Sequence, residues 1–174
     1  MPLPETPSTP TVLIDIGAWA IIHSATGYAV HRIPLRNLYH DMWLLRPRHF
    51  EGDGRLYERL GIRRWKDRLP EAGALFAGGI SKRHLPTRGD GGLTRFVAET
   101  RRAELGHWLA MAGGPLFILW NPPIVAALMV VYAVAVNSPF IAIQRYNRLR
   151  ASRVLDRVNR STADADLPLA DRIR

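Results

Sequence analysis

The decapeptide ETRRAELGHW, Glu99 to Trp108, holds two acids, two arginines and a histidine. On a helix, side chains three and four apart share a face. Glu104 and His107 are three apart. A histidine oriented by a carboxylate is a general-base pair, because the acid fixes the ring tautomer and stabilises the imidazolium as it forms. Glu99 lies five residues before Glu104, and Arg101 and Arg102 are placed to steady a developing oxyanion. The chemistry this permits is removal of a proton from a hydroxyl, followed by attack on an activated acyl carbon. The same spacing fits plain ion pairs on a helix face, Glu104 with Arg101 and Glu99 with Arg102, which contribute little. Spacing alone leaves both open. Glu-x-x-His also occurs in helical di-metal sites, but those need the motif twice and it is found once, so no metal site is expected.

The elements that must position these residues are apolar. Leu105 to Gln144 is a run of forty residues without Asp, Glu, Lys or Arg, split by Asn121-Pro122-Pro123. A helix rises ~1.5 Å per residue, so about twenty residues cross the ~30 Å hydrocarbon core of a bilayer. The two prolines cannot continue a helix, which predicts a transmembrane hairpin. An earlier segment, residues 11–31, is a weaker span that carries Asp15 and His23. On a helix Asp15, Trp19, His23 and Thr26 fall within a ~80° arc at ~100° per residue. They form either a second interior site or an inexpensive set at the outer interface.

The basic residues orient these spans. None of the 24 lies in residues 1–31 or 103–144; sixteen lie in 32–102 and eight from Arg145 onward. The positive-inside rule then places the N-terminus outside and the C-terminus in the cytoplasm of a multi-pass cell-membrane protein. The expected fold is an all-α integral membrane protein with three transmembrane helices, an amphipathic interfacial helix and a basic cytoplasmic segment. The divisions are an outer Pro-rich arm (1–10), transmembrane helix 1 (11–31), a basic cytoplasmic and interfacial segment (32–98), a helix entering the membrane as transmembrane helix 2 (99–120), transmembrane helix 3 (124–144) and a basic cytoplasmic tail (145–174).

Within the basic segment, Leu35, Leu38, Tyr39, Met42 and Trp43 recur at helical spacing and predict the interfacial helix. Leu56, Tyr57 and Leu60 predict a short helix ending at Gly61. Arg63, Arg64, Lys66 and Arg68 cluster around Trp65, and Lys82 and Arg83 sit in a Gly-rich loop. Such groups can hold the phosphates of coenzyme A, although the positive-inside bias explains them equally well. The loop lacks a Gly-Lys-Ser/Thr ending, so it is not a P-loop. Arg145, Tyr146 and Asn147 of QRYNR are either substrate-binding or a plain interface anchor. The chain has no cysteine, which excludes thiol nucleophiles and disulfides. Its net charge of +9 is segregated by membrane side, so no nucleic-acid partner is expected.

LGIRRWKDRLPE, ETRRAELGHW, NPP with MVVYAVAVNSP, and QRYNR, in that order over about half the chain, resemble the glycosyl-4,4'-diaponeurosporenoate acyltransferases of bacterial carotenoid (staphyloxanthin) synthesis and their actinobacterial relatives. The resemblance implies a membrane-bound acyltransferase that esterifies a sugar hydroxyl of a glycolipid or glycosylated isoprenoid. Its co-substrate would be acyl-CoA or another acyl thioester, with no bound cofactor. Membrane lipid surrounds it, and a homo-oligomer or a partner membrane protein is compatible with it. The site residues come from the chemistry: His107, Glu104 and Glu99 as catalytic, Arg101, Arg102, Arg63, Arg64, Lys66, Arg145, Tyr146 and Asn147 as substrate-binding. The rival reading is a non-enzymatic subunit that binds anionic lipid or docks a partner enzyme.

Overall fold

The computed structural model describes residues 8–69 and 92–166. Most of the Pro-rich arm, the Gly-rich loop with Lys82 and Arg83, and the end of the tail lie outside them. The described residues form five α-helices joined by 3-10 turns: α1 (Thr9–His31), α2 (Arg55–Arg59), α3 (Ile62–Trp65), α4 (Gly92–Ala112) and α5 (Pro123–Asp166). Two helices, α1 and α5, are long and apolar enough to cross a membrane. Only 11 % of the apolar window of α1 and 28 % of that of α5 is buried, so neither resembles the core helix of a soluble protein. Outward-facing Leu13, Ile16, Ile21, Leu128 and Val131 form the kind of large apolar surface that suggests membrane association.

The chain divides into two compact units. The first draws on residues up to Pro34 and on Arg102–Ala142; the second on Leu35–Arg101 and the chain from Ile143.

In the first unit, α1 begins where Ser8 is extended and Pro10 fills an early helical position that needs no N–H donor. It runs about 35 Å at 1.5 Å per residue. Past its end, the Arg102 guanidinium donates to the Ile33 carbonyl at 2.9 Å, a cation where the helix dipole is negative. The helix expected over 99–120 is not continuous. α4 stops at Ala112, and Gly114–Leu119 is a 3-10 turn. Gly113-Gly114-Pro115 explains the stop, because two glycines weaken the helix and proline removes a donor.

Those glycines also permit close approach. A Cβ on Gly113 would lie 2.9 Å from Ile22 Cγ2, and one on Gly114 would lie 3.0 Å from Ala133 Cβ. Trp19, Phe117 and Ala133 form the core there, with the Trp19 and Phe117 rings stacked at 4.8 Å. Gly113→Val should therefore destabilise the protein by on the order of 1–3 kcal/mol through overpacking, with Gly113→Ala nearer the lower figure. Denaturant titration in detergent micelles measures this, and an unchanged midpoint for the valine variant would sink it.

Asp15 is buried, and its Oδ1 accepts from the Trp120 indole at 2.8 Å and the Asn121 amide at 2.9 Å. The acid ties the turn before α5 to α1. α5 opens on Pro123 and continues through Pro139 into the basic tail without a break. The boundary expected at residues 144 and 145 is thus a change of surface along one helix.

In the second unit, the interfacial helix expected from Leu35 to Trp43 is absent. Only Leu35–Leu38 is helical, as a 3-10 turn. The reason is Arg101: its Nη1 donates to the carbonyls of Leu38 at 2.9 Å and Tyr39 at 3.0 Å, and its Nη2 pairs with Asp41. Three contacts from one side chain hold this segment in its non-helical course. α2 ends before Gly61 as expected, with Gly61 in the left-handed region at φ 69°. Gly54, at φ 95°, lies against the Tyr146 ring. Leu93, Phe96, Val97 and Ala151 make the apolar core, flanked by Val154 and Leu155.

Candidate active site

His107 sits near the C-terminal end of α4, and its Nδ1 lies 3.1 Å from Asn137 Oδ1 on α5. Asn137 is 1 % exposed, and its Nδ2 donates to the Ala133 carbonyl at 2.9 Å. A carbonyl can only accept, so the amide orientation is fixed, with Oδ1 towards the imidazole. Oδ1 is also only an acceptor, so the proton of neutral His107 belongs on Nδ1 and the lone pair on Nε2. The Phe140 ring stacks on the imidazole at 4.8 Å and 9°, which limits ring rotation. An amide and an aromatic face thus fix the orientation of the imidazole.

Helical spacing assigns the orienting role to Glu104. In the structure Glu104 is fully buried, and its Oε1 accepts from the Trp108 indole at 3.2 Å. Glu99 is also buried but belongs with Arg101 to the second unit, whereas Arg102, Glu104 and His107 belong to the first. Arg101 and Arg102 both donate to backbone carbonyls. Asn137 is the residue that spacing misses. Its signal is present in the sequence, since a polar residue within a span is a functional candidate.

The second unit holds a polar cluster that spacing does not reveal. Glu51 is 1 % exposed. Its Oε1 accepts from the Tyr57 hydroxyl and from Arg145 Nη1 at 3.3 Å, and its Oε2 from the Arg48 backbone N–H. Arg145 Nη2 reaches the Arg46 carbonyl at 2.9 Å, and Arg148 Nη2 the Leu45 carbonyl at 2.6 Å. Arg145 of QRYNR is therefore a buried clamp on residues 44–51, and Asn147 is buried beside it in sequence.

Tyr146 is fully buried, and its hydroxyl accepts from Arg63 Nε at 3.1 Å and donates to Glu58 Oε1 at 3.3 Å. Arg63 also pairs with Glu58 at 2.6 Å, and its side chain is 68 % exposed. The Arg63 guanidinium beside Glu58 holds that carboxyl below the usual carboxylate range. The pair thus keeps its charge above the ordinary carboxylate pKa and loses it as pH falls through the lowered value. Arg64 is exposed, while the Lys66 ammonium is largely covered and paired with Asp67. Arg63 and Arg64 are the ones among these residues that present charge outward.

Long outward-facing apolar helices suggest a membrane-associated helical protein, and within it a half-buried imidazole is held between Asn137 and Phe140. The family model of glycosyl-4,4'-diaponeurosporenoate acyltransferase matches residues 41–157, and the chain belongs to that family. Among similar proteins are the glycosyl-4,4'-diaponeurosporenoate acyltransferases of Staphylococcus aureus strains USA300 and MRSA252, each 29 % identical over 139 residues, covering 79 % of this chain and 83 % of the relative. No solved structure matches. The protein is accordingly an acyltransferase, and the reading as a non-enzymatic docking subunit falls away.

Proposed function

We propose that the protein transfers a fatty acyl group from an acyl thioester to a sugar hydroxyl of a glycosylated carotenoid or related glycolipid, with His107 as general base. The relatives' name supplies the acceptor class, a glycosylated diaponeurosporenoate. The observation that carries the mechanism is the His107–Asn137 pair at 3.1 Å, with the amide locked by Ala133. His107 Nε2 takes the hydroxyl proton as the sugar oxygen attacks the thioester carbon. The C–O bond forms, the C–S bond breaks, and His107 returns the proton to the departing thiolate. No acyl-enzyme is needed, which fits a chain without cysteine.

Arg63, Arg64 and Lys66 are assigned to the donor's phosphates in this reading, with the outward-facing guanidiniums of Arg63 and Arg64 the better supported. Three crossings are proposed: α1, the end of α4 with its 3-10 turn, and the apolar part of α5. The N-terminus lies outside and the chemistry at the cytoplasmic face, on the distribution of basic residues. Exposed Tyr39, Met42 and Trp43 still suit the interface although they are not helical.

Mass spectrometry of membrane lipids from cells with and without the active chain tests the class of reaction. A glycolipid heavier by one acyl group is expected, and identical lipid profiles would refute it. Asn137→Ala tests the orientation of the base. It frees the imidazole tautomer and should lower kcat by roughly 10-fold, about 1.4 kcal/mol, with KM little changed. A variant of unaltered kcat would remove Asn137 from the mechanism.

A further inference from the structure

Within the second unit, three guanidiniums gather at Tyr146. Its hydroxyl accepts from Arg63 Nε at 3.1 Å, and the Arg150 guanidinium lies over its ring, 5.5 Å from the centroid. Arg153 reaches the same place beside Gly54. A Cβ on Gly54 would meet the Tyr146 ring at 3.4 Å and Arg153 Nη2 at 3.8 Å. Helical spacing brings the α5 members together: Arg150 follows Tyr146 by four residues and Arg153 follows Arg150 by three, so all three share one face.

Among the described residues, one acid pairs within this group. Glu58 Oε1 takes the Arg63 guanidinium at 2.6 Å and the Tyr146 hydroxyl at 3.3 Å. Arg63 first, and Tyr146 and Arg153 after it, hold that carboxyl below its ordinary range. Arg150 and Arg153 make no hydrogen bond or ion pair among the described residues. Asp156, three residues after Arg153, and Asp53, beside Gly54, pair with neither. The space between Tyr146 and Arg153 is kept bare by Gly54, whose φ of 95° is a left-handed conformation that favours glycine. The Arg63 side chain is exposed, and Arg150 and Arg153 are half-buried, so a ligand from solvent can reach them.

Three guanidiniums and one carboxylate leave positive charge and unused N–H donors at one spot. The positive-inside bias accounts for many arginines in this unit, but not for three meeting at one side chain. A phosphate brings the opposite charge and several acceptor oxygens, which planar guanidinium forks match.

We propose that Arg63, Arg150 and Arg153 form a phosphate-binding site around Tyr146. The phosphate is that of the acyl donor's nucleotide or of a lipid headgroup. The first source rests on the acyl-CoA reading above, whereas the site itself does not.

The test is native mass spectrometry of the full chain released from detergent micelles. One arm adds adenosine 3′,5′-bisphosphate, a phosphate-bearing piece of coenzyme A without its thiol. The other adds dioleoylphosphatidylglycerol. A saturable adduct is expected in at least one arm. Arg150→Gln and Arg153→Gln should each weaken it by roughly 10-fold, the scale of one charge-assisted hydrogen bond, with circular dichroism unchanged. Arg160→Gln, about 10 Å beyond Arg153 along α5, removes the same charge and should leave binding as it is. Loss in the nucleotide arm assigns the site to the donor, and loss in the lipid arm assigns it to a headgroup. No saturable adduct in either arm, binding that Arg150→Gln and Arg153→Gln leave intact, or an equal loss in Arg160→Gln overturns the proposal. Neither ligand carries a thioester, so binding is read apart from the reaction. A chain that binds the nucleotide through these arginines but transfers no acyl group would refute the transfer reading and keep the site.

Discussion

His107→Gln should lower acyl transfer by about 10²–10⁴-fold, the usual contribution of a positioned general base, while helical content and membrane insertion stay as in the wild type. The substitution keeps a polar side chain of similar reach, so it separates proton transfer from packing. The introduced amide can still donate to Asn137 Oδ1, which preserves the contact His107 makes with α5. What it lacks is a nitrogen lone pair of suitable basicity. The loss should appear in kcat, because the base acts as the hydroxyl attacks and not when the lipid binds. Full activity in purified His107→Gln would end the assignment.

His107 is legible in the sequence because a histidine at the border of a forty-residue uncharged run is conspicuous. Spacing points to a partner on the same helix, where i to i+3 neighbours can be read directly. The residue at its Nδ1 comes from α5, thirty positions away, a pairing that no local spacing encodes. Asn137 does stand within one of the resembling motifs, as the one strongly polar side chain of an apolar stretch, yet nothing in that stretch indicates which helix it faces. The long apolar helices α1 and α5 are readable because length and apolarity alone mark them. The amphipathic helix expected at Leu35–Trp43 fails for a related reason. Its apolar periodicity is real, but Arg101, more than sixty residues later, holds the segment in another course through Leu38, Tyr39 and Asp41. Periodicity reports which residues prefer burial, and it is silent about a distant guanidinium that fixes the backbone.

Glu51→Ala should be the most damaging single change to stability, at about 3–5 kcal/mol, the cost of leaving a buried charge without its partner. Arg145 would keep two carbonyl contacts but lose the carboxylate that balances it, and Tyr57 would lose its acceptor. The Arg48 N–H, which Glu51 also satisfies, would be left to find another acceptor. A domain is stable by only about 5–15 kcal/mol, so the loss is a large fraction of the whole. The cost should be specific to breaking the pair. Arg145→Met alone should also destabilise the protein, by stranding the Glu51 carboxylate, yet Glu51→Leu with Arg145→Met should recover part of the loss, because neither charge then remains buried. Denaturant titration of the wild type, both single variants and the double variant closes the cycle. If the double variant is as unstable as the two single losses added together, the cluster is not coupled. The stability of this unit would then rest on Leu93, Phe96, Val97 and Ala151 instead.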